Sequence, residues 1–202
     1  MPIVALVLFV LFAALGFGWR SWRQRRRTGS TGFRGISGRP LSLEWFAGVG
    51  FVVAMAAAVF APILQLAGVV APLEVLDRPW LNVIGIALAV AGIGATLYAQ
   101  FDMGDSWRIG VDASETTTLI RSGVFARVRN PIFTAMMVFG FGIALITPNL
   151  VAMVGFALLV ATIEAQVRVV EEPYLLATHG DSYRDYLATV GRFVPGIGVI
   201  SV

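Results

Sequence analysis

The 202-residue chain is 57% hydrophobic and only 13% charged, about half the charged share of an ordinary soluble domain. Its net charge of +3 comes from 15 arginines, with no lysine, against 12 acidic residues; the arginines lie beside apolar runs and form no separate basic domain, so nucleic-acid binding has little support. The absence of cysteine excludes disulfides, thiolate metal sites and cysteine nucleophiles, and a lone histidine, His179, excludes a multi-histidine metal centre, so no metal is expected.

Five apolar segments follow one another along the chain. The first runs from about Ile3 to Gly18. Its positive charges (Arg20, Arg23, Arg25, Arg26 and Arg27) follow it rather than precede it, and no small-residue cleavage site is evident. That reads as a retained helix with its N-terminus outside, not a signal peptide. The Gly/Ser/Thr-rich stretch from Thr28 to Pro40 reads as a flexible linker. The second segment, about Trp45 to Leu66, and the third, Trp80 to Gln100, match the ~20 residues that span a hydrocarbon core. Gly85, Ala89, Gly92 and Gly94 in the third suit close helix packing. The fourth starts at Pro131 and ends near Ile146, and the fifth runs from Leu150 to about Ile163. Only Thr147-Pro148-Asn149 joins these two, a tight turn that forces an antiparallel hairpin.

Placing the Trp19–Glu44 loop in the cytoplasm puts 14 of the 15 arginines inside, with Arg78 the exception. The expectation is therefore an all-α integral membrane protein with five transmembrane helices, a C-terminal helical hairpin and a cytoplasmic C-terminal helical cap. Residues 1–44 form an N-terminal helix with a basic loop, and residues 45–202 a four-span core with the site in 101–195. The expected location is a bacterial plasma membrane, with the site facing the cytoplasm.

Polar residues concentrate in two inside regions that the hairpin brings to one membrane face. In the first, Asn130 and Pro131 suit an N-cap and a first helical position. With Arg127 and Arg129 nearby, that helix end suits an anionic group; a capped helix with headgroup-level arginines explains the same residues. In the second, Glu164, Arg168 and one of Glu171 and Glu172 share a helix stripe. They read equally as an ion pair anchoring the helix end or as carboxylates around a cationic or amine-bearing ligand. Tyr183 and Tyr186, one turn apart, can pack together or line a pocket, while His179 before Gly180 suits a helix C-terminus.

Ser122-Gly123-Val124-Phe125, Arg129-Asn130-Pro131-Ile132-Phe133, the hairpin, Glu171-Glu172, Gly180-Asp181-Ser182-Tyr183 and Arg192 to Pro195 occur in this order. The pattern, covering roughly Gly104 to Pro195, resembles the isoprenylcysteine carboxyl methyltransferase and phospholipid methyltransferase superfamily. The resemblance implies a membrane methyltransferase that uses S-adenosylmethionine on a lipophilic small-molecule or lipid-linked acceptor entering from the membrane lipid. It places Thr117, Thr118, Leu119, Ile120, Phe125, Arg129, Asn130, Pro131, Ile132, Phe133, Glu171, Glu172, Tyr183 and Arg192 around the cofactor. Glu171 would anchor the cofactor and Arg168 would steer the acceptor, the two catalytic assignments. The eukaryotic carboxyl methyltransferases have histidine where this chain has Asn130, whose amide still donates and accepts hydrogen bonds. They also carry an arginine four residues before the glutamate, where this chain has Val167 and places Arg168 three before. Two other classes fit less well: a steroid-reductase-type enzyme using a nicotinamide nucleotide, and a non-enzymatic membrane scaffold or carrier.

Overall fold

The computed structural model describes residues 1–33, 35–108 and 118–200, and these residues build an all-helical protein with two isolated β-bridges. Helix α1 covers Pro2–Thr28, α2 Leu43–Leu66, α3 Pro79–Met103, α4 Pro131–Ile146, α5 Leu150–His179 and α6 Asp181–Thr189. Among the described residues, α1, α2, α3 and α5 are long and apolar enough to cross a membrane. Together with a surface that exposes many large apolar side chains, this marks an integral membrane protein. Helix α4 has 16 residues, a rise of ~24 Å against the ~30 Å of a hydrocarbon core. It is enclosed by its neighbours instead, with Ala135, Met136, Phe139, Gly140 and Gly142 through Ile146 all buried.

Local chemistry sets the helix ends. Ser42 caps α2 by accepting from the Trp45 N–H at 3.2 Å. Pro79 and Pro131 open α3 and α4, where a missing N–H costs nothing. The 147–149 turn joins α4 to α5 as the sequence implies, and Asn149 does more than turn the chain. It caps α5 through the Ala152 N–H at 3.0 Å and reaches back to the Ala61 carbonyl and Gln65 of α2. The hairpin partners spend most of their surface elsewhere: α4 packs on α3, and α5 on α2.

Small residues make the α3–α4 seam. A Cβ at Gly92 would lie 2.7 Å from the Phe139 nitrogen, and one at Gly142 2.6 Å from the Ala89 nitrogen. A Cβ at Gly85 would meet the Gly142 carbonyl at 2.8 Å. Gly94 takes no part, since nothing lies within 4 Å of its missing Cβ. Phe12 of α1 stacks on Phe139 of α4 at 4.1 Å and ties the first helix to the same seam.

The first helix runs further than its apolar stretch. It passes through a π-helical segment at Ala13–Trp19 and continues across the arginine-rich tract to Thr28, ending on Gly29 in the left-handed conformation. Arg20 is buried on this extension and does more than set orientation. It donates to the carbonyls of Gly104 (2.5 Å) and Gln100 (3.4 Å) and lies 4.7 Å over the Trp107 ring. Gln24 donates to the Asp105 carbonyl at 2.6 Å, and Arg27 pairs with the Asp105 carboxylate at 2.9 Å. The end of α1 is thereby fastened to the turn that follows α3.

Candidate active site

The start of α4 is the centre of the site. The preceding motif is shaped by Asp102 at the end of α3, whose carboxylate accepts from the Val124 N–H at 2.9 Å. That carboxylate fills the space a side chain at residue 123 would need, and Gly123 has φ +59°, so only glycine fits there. The turn then delivers Phe125, buried, beside the Arg129-Asn130-Pro131 corner. Asn130 occupies the N-cap position of α4 but does not cap it with its side chain. Its Nδ2 donates to the Arg192 carbonyl at 3.2 Å. The helix N-terminus therefore keeps its first-turn N–H groups, those of Ile132 and Phe133, ahead of the first helical bond from Thr134 N–H to the Asn130 carbonyl.

A cavity of about 320 Å³ opens at this corner. Thr118, Leu119, Ile120, Phe125, Arg129, Asn130, Pro131, Ile132, Phe133, Glu171 and Tyr183 all line it. Thr117 lies outside the described residues. Glu171 reaches the cavity through a change of helical pitch. Residues Gln166–Glu171 of α5 form a π-turn, and both ends of that turn line the cavity. Five residues apart is nearly opposite on an α-helix and nearly aligned on a π-helix. Among the described residues, no hydrogen bond or ion pair is recorded for the Glu171 carboxylate.

The same pitch change separates residues that an α-helical stripe would group. Arg168 is not on the cavity wall. Its side chain is 56% exposed and pairs with Glu164 at 2.5 Å, the anchoring pair of the two readings for that stripe. Arg127 is exposed as well. Glu172 and Arg192 also stand off the cavity. They form a staple with Arg129: Arg192 grips both Glu172 carboxylate oxygens at 2.8 and 3.1 Å, and Arg129 donates to Glu172 at 3.0 Å. Arg129, with a side chain only 1% exposed, also donates to the carbonyls of Leu187, Val190 and Gly198. The Glu172 hydrogen bond holds the Arg192 guanidinium further toward its charged form than usual. This staple presses the 191–198 segment onto the start of α4, where the Arg129 and Asn130 N–H groups bond the Gly191 and Arg192 carbonyls.

The two tyrosines fulfil both of their expected roles, with rings 6.2 Å apart and both on the cavity wall. Burial pushes their phenols up, Tyr186 to about 12 and Tyr183 further, so both are neutral donors at physiological pH. Tyr186 donates to the Phe125 carbonyl. His179 closes α5 ahead of Gly180, as its position suggests.

Sequence reasoning missed one side of the cavity. Phe17 of α1, Phe33, Gly35, Ile36 and Ser37 of the α1–α2 connection, and Gly48, Phe51 and Val52 of α2 line it together with the motif residues. Gln100, Met103, Ser106, Trp107 and Arg108 complete it at the end of α3. The tract from Gly104 to Arg108 was visible as part of a polar region; the α1–α2 contribution carries no motif.

A family profile, phospholipid methyltransferase, matches residues 80–182, from the start of α3 to the start of α6. The chain is 29% identical over 131 residues to human protein-S-isoprenylcysteine O-methyltransferase, covering 64% of this chain and 46% of the relative. It is 30% identical over 77 residues to the Schizosaccharomyces pombe protein of the same name, covering 38% of this chain and 33% of the relative. It thus spans about half the length, or less, of the curated relatives it matches. A solved structure of the eukaryotic intramembrane Ras methyltransferase, isoprenylcysteine carboxyl methyltransferase, superposes with a TM-score of 0.65 at 21% identity, covering 95% of this chain and 64% of that one. The helical arrangement around the cavity is therefore a shared fold, and the profile match spans half of the chain. The chain belongs to the phospholipid methyltransferase family.

Proposed function

We propose that this protein transfers a methyl group from S-adenosylmethionine to a lipophilic acceptor at the membrane boundary. The observation that carries the reading is the convergence, in one cavity, of Glu171, Asn130 and the open first turn of α4 with the aromatic faces of Phe125, Phe133 and Tyr183. This donor set fits the cofactor. A sulfonium is met well by aromatic faces and a carboxylate, and the N–H groups of Ile132 and Phe133, which have no partner among the described residues, suit a carboxylate. S-Adenosylmethionine supplies an electrophilic methyl group that leaves its sulfur as a neutral thioether.

The chain's own residues then position rather than react. Glu171 holds the cofactor's polar groups. Thr118 to Ile120 and Phe125 flank it, and Tyr183 closes the far wall. Arg129, Glu172 and Arg192 hold the start of α4 in register. Arg168, exposed and paired with Glu164 outside the cavity, meets the acceptor's polar group on its approach and not at the reacting atoms. Thr117 is assigned to the cofactor on the motif alone. Positioning of this kind supplies a large share of the barrier reduction for a displacement at a bound methyl group.

The arginine distribution supports a cytoplasmic position for this face, which holds if the short, enclosed α4 reaches from one side to the other as a fifth pass. Residues 45–202 form the catalytic core and residues 1–44 supply part of its wall. The acceptor is a lipid or lipid-linked molecule, and neither a metal nor a nucleic acid takes part. The steroid-reductase and scaffold readings lack an observation in their favour. The test is incorporation of labelled methyl from S-adenosylmethionine into a lipid extract by the purified protein. Label in the lipid phase is expected, lost on Glu171→Ala; no incorporation with any lipid fraction would overturn the reading.

A further inference from the structure

The cavity has two walls of different origin. The motif wall, from Thr118 through Tyr183, belongs almost wholly to the stretch that the family profile matches. A second wall is built from Phe17, Phe33, Ile36, Gly48, Phe51 and Val52, all outside residues 80–182. Among the described residues it carries no charge and is mostly aromatic or branched aliphatic.

Two glycines let the α1–α2 connection lie against this wall. A Cβ at Gly32 would meet the Trp107 ring at 3.1 Å. A Cβ at Gly48 would lie 2.6 Å from the Ile36 Cγ2 and 3.3 Å from its Cβ and Cγ1. Gly48 sits inside α2, where glycine costs about 1 kcal/mol relative to alanine. The close seat of Ile36 gives a reason for that glycine: only a residue with no side chain lets Ile36 reach the helix backbone. On their outer sides Phe33, Ile36 and Val52 are exposed, so this wall is also the rim where the cavity meets the apolar surface of the protein.

We propose that Ile36 and Gly48 determine which apolar tails the cavity admits, with the tail of the methyl acceptor lodged between α1, α2 and the connection. The proposal rests on the methyltransferase reading for the identity of the occupant. The occupant follows from continuity: the apolar wall and the Glu171 wall bound one cavity, and the tail of a lipophilic acceptor is best met by the apolar wall. The family-matched half would then supply the reaction, and the N-terminal third the choice of acceptor.

Gly48→Ala should push Ile36 out of its seat. KM for the acceptor fraction of the lipid extract should rise by about tenfold or more, while S-adenosylmethionine affinity stays within about twofold. The double variant Ile36→Ala/Gly48→Ala should recover most of the lost KM. Ile36→Trp, which leaves α2 untouched, should narrow the same space and shift preference toward slimmer or shorter tails. The protein contains no cysteine, so Ser37→Cys adds a single thiol on the cavity wall. Long-chain n-alkanols should slow its alkylation by maleimide in phosphatidylcholine nanodiscs, and do so less when Gly48→Ala is added. The alkanol measurement needs no methyl transfer: wild-type protein that transfers no methyl, yet whose Ser37→Cys thiol is protected, would defeat the functional reading alone. The inference is overturned if Gly48→Ala keeps the wild-type acceptor KM, if Ile36→Ala gives no recovery, or if alkanols leave the alkylation rate unchanged.

Discussion

Glu171 and Glu172 are neighbours in sequence and opposites in environment. Glu172 is gripped by two arginines, one of them almost fully buried, and it locks the C-terminal segment onto the start of α4. Glu171 faces the cavity with no hydrogen bond or salt bridge among the described residues, and feels the charge of Arg108 across it. Adjacent residues on a helix point about 100° apart, so Glu171 at the end of the π-turn and Glu172 just after it face different surroundings. The difference teaches that charge near a site divides into groups that build it and groups left open for a ligand. A residue whose bonds are all satisfied by the protein has little left to offer the ligand.

The strongest way to break this contrast is to remove Glu172. Glu172→Ala takes the carboxylate from the buried Arg129 and leaves Arg192 only the longer contact to Glu164 at 3.5 Å, at a cost of about 3–5 kcal/mol. The variant should melt far below wild type or fail to fold, as read by thermal denaturation in detergent. A melting temperature unchanged from wild type would mean that the staple holds nothing.

Glu171→Ala should do the reverse. Its melting temperature should stay near that of wild type, because among the described residues no hydrogen bond or salt bridge is lost. Its affinity for S-adenosylmethionine should fall by roughly tenfold to a hundredfold, the worth of a charge-assisted hydrogen bond of about 1.5–3 kcal/mol.

The tyrosine pair refines the boundary between building and binding. Tyr186→Phe removes the hydrogen bond to the Phe125 carbonyl and should cost about 1 kcal/mol. It should also change the alkaline behaviour. Burial raises the Tyr186 phenol from about 10 in an unfolded chain to about 12, so its contribution is complete below pH 10 and is lost as the pH rises through about 12. Chemical denaturation between pH 9 and 12 should therefore show a shallower loss of stability in Tyr186→Phe. A residual slope should remain from Tyr183, which burial shifts the same way.

Arg168 should show the smallest effect on stability. Its pair with Glu164 is largely exposed, so Arg168→Ala should cost at most about 1 kcal/mol in melting experiments. Any effect it has should fall on acceptor KM and not on cofactor affinity, consistent with its place outside the cavity.

Local chemistry was readable in the sequence, and long-range closure was not. Pro131 opens α4, and Thr147-Pro148-Asn149 turns the hairpin, because proline and asparagine act within a few residues of themselves. The motif residues at Thr118–Ile120, Phe125 and Asn130–Phe133 meet in the cavity because the turn before α4 carries them together. The π-turn at Gln166–Glu171 has no signature in the apolar periodicity, and it is what moves Arg168 out of the site and Glu171 into it. Arg129, Glu172 and Arg192 stand 43 and 20 residues apart along the chain, so their mutual satisfaction appears only in the fold. The Phe33–Ser37 wall was hidden because a Gly/Ser/Thr-rich tract reads as linker composition, whereas Gly32 and Gly48 in fact let the tract pack closely.

The most direct test of the account is titration calorimetry of S-adenosylmethionine into the purified wild-type protein and Glu171→Ala, with melting curves recorded on the same samples. The account predicts saturable binding to wild type and at least about tenfold weaker binding to a Glu171→Ala protein that melts like wild type. Absence of binding to wild type, or equal binding to both, would contradict it.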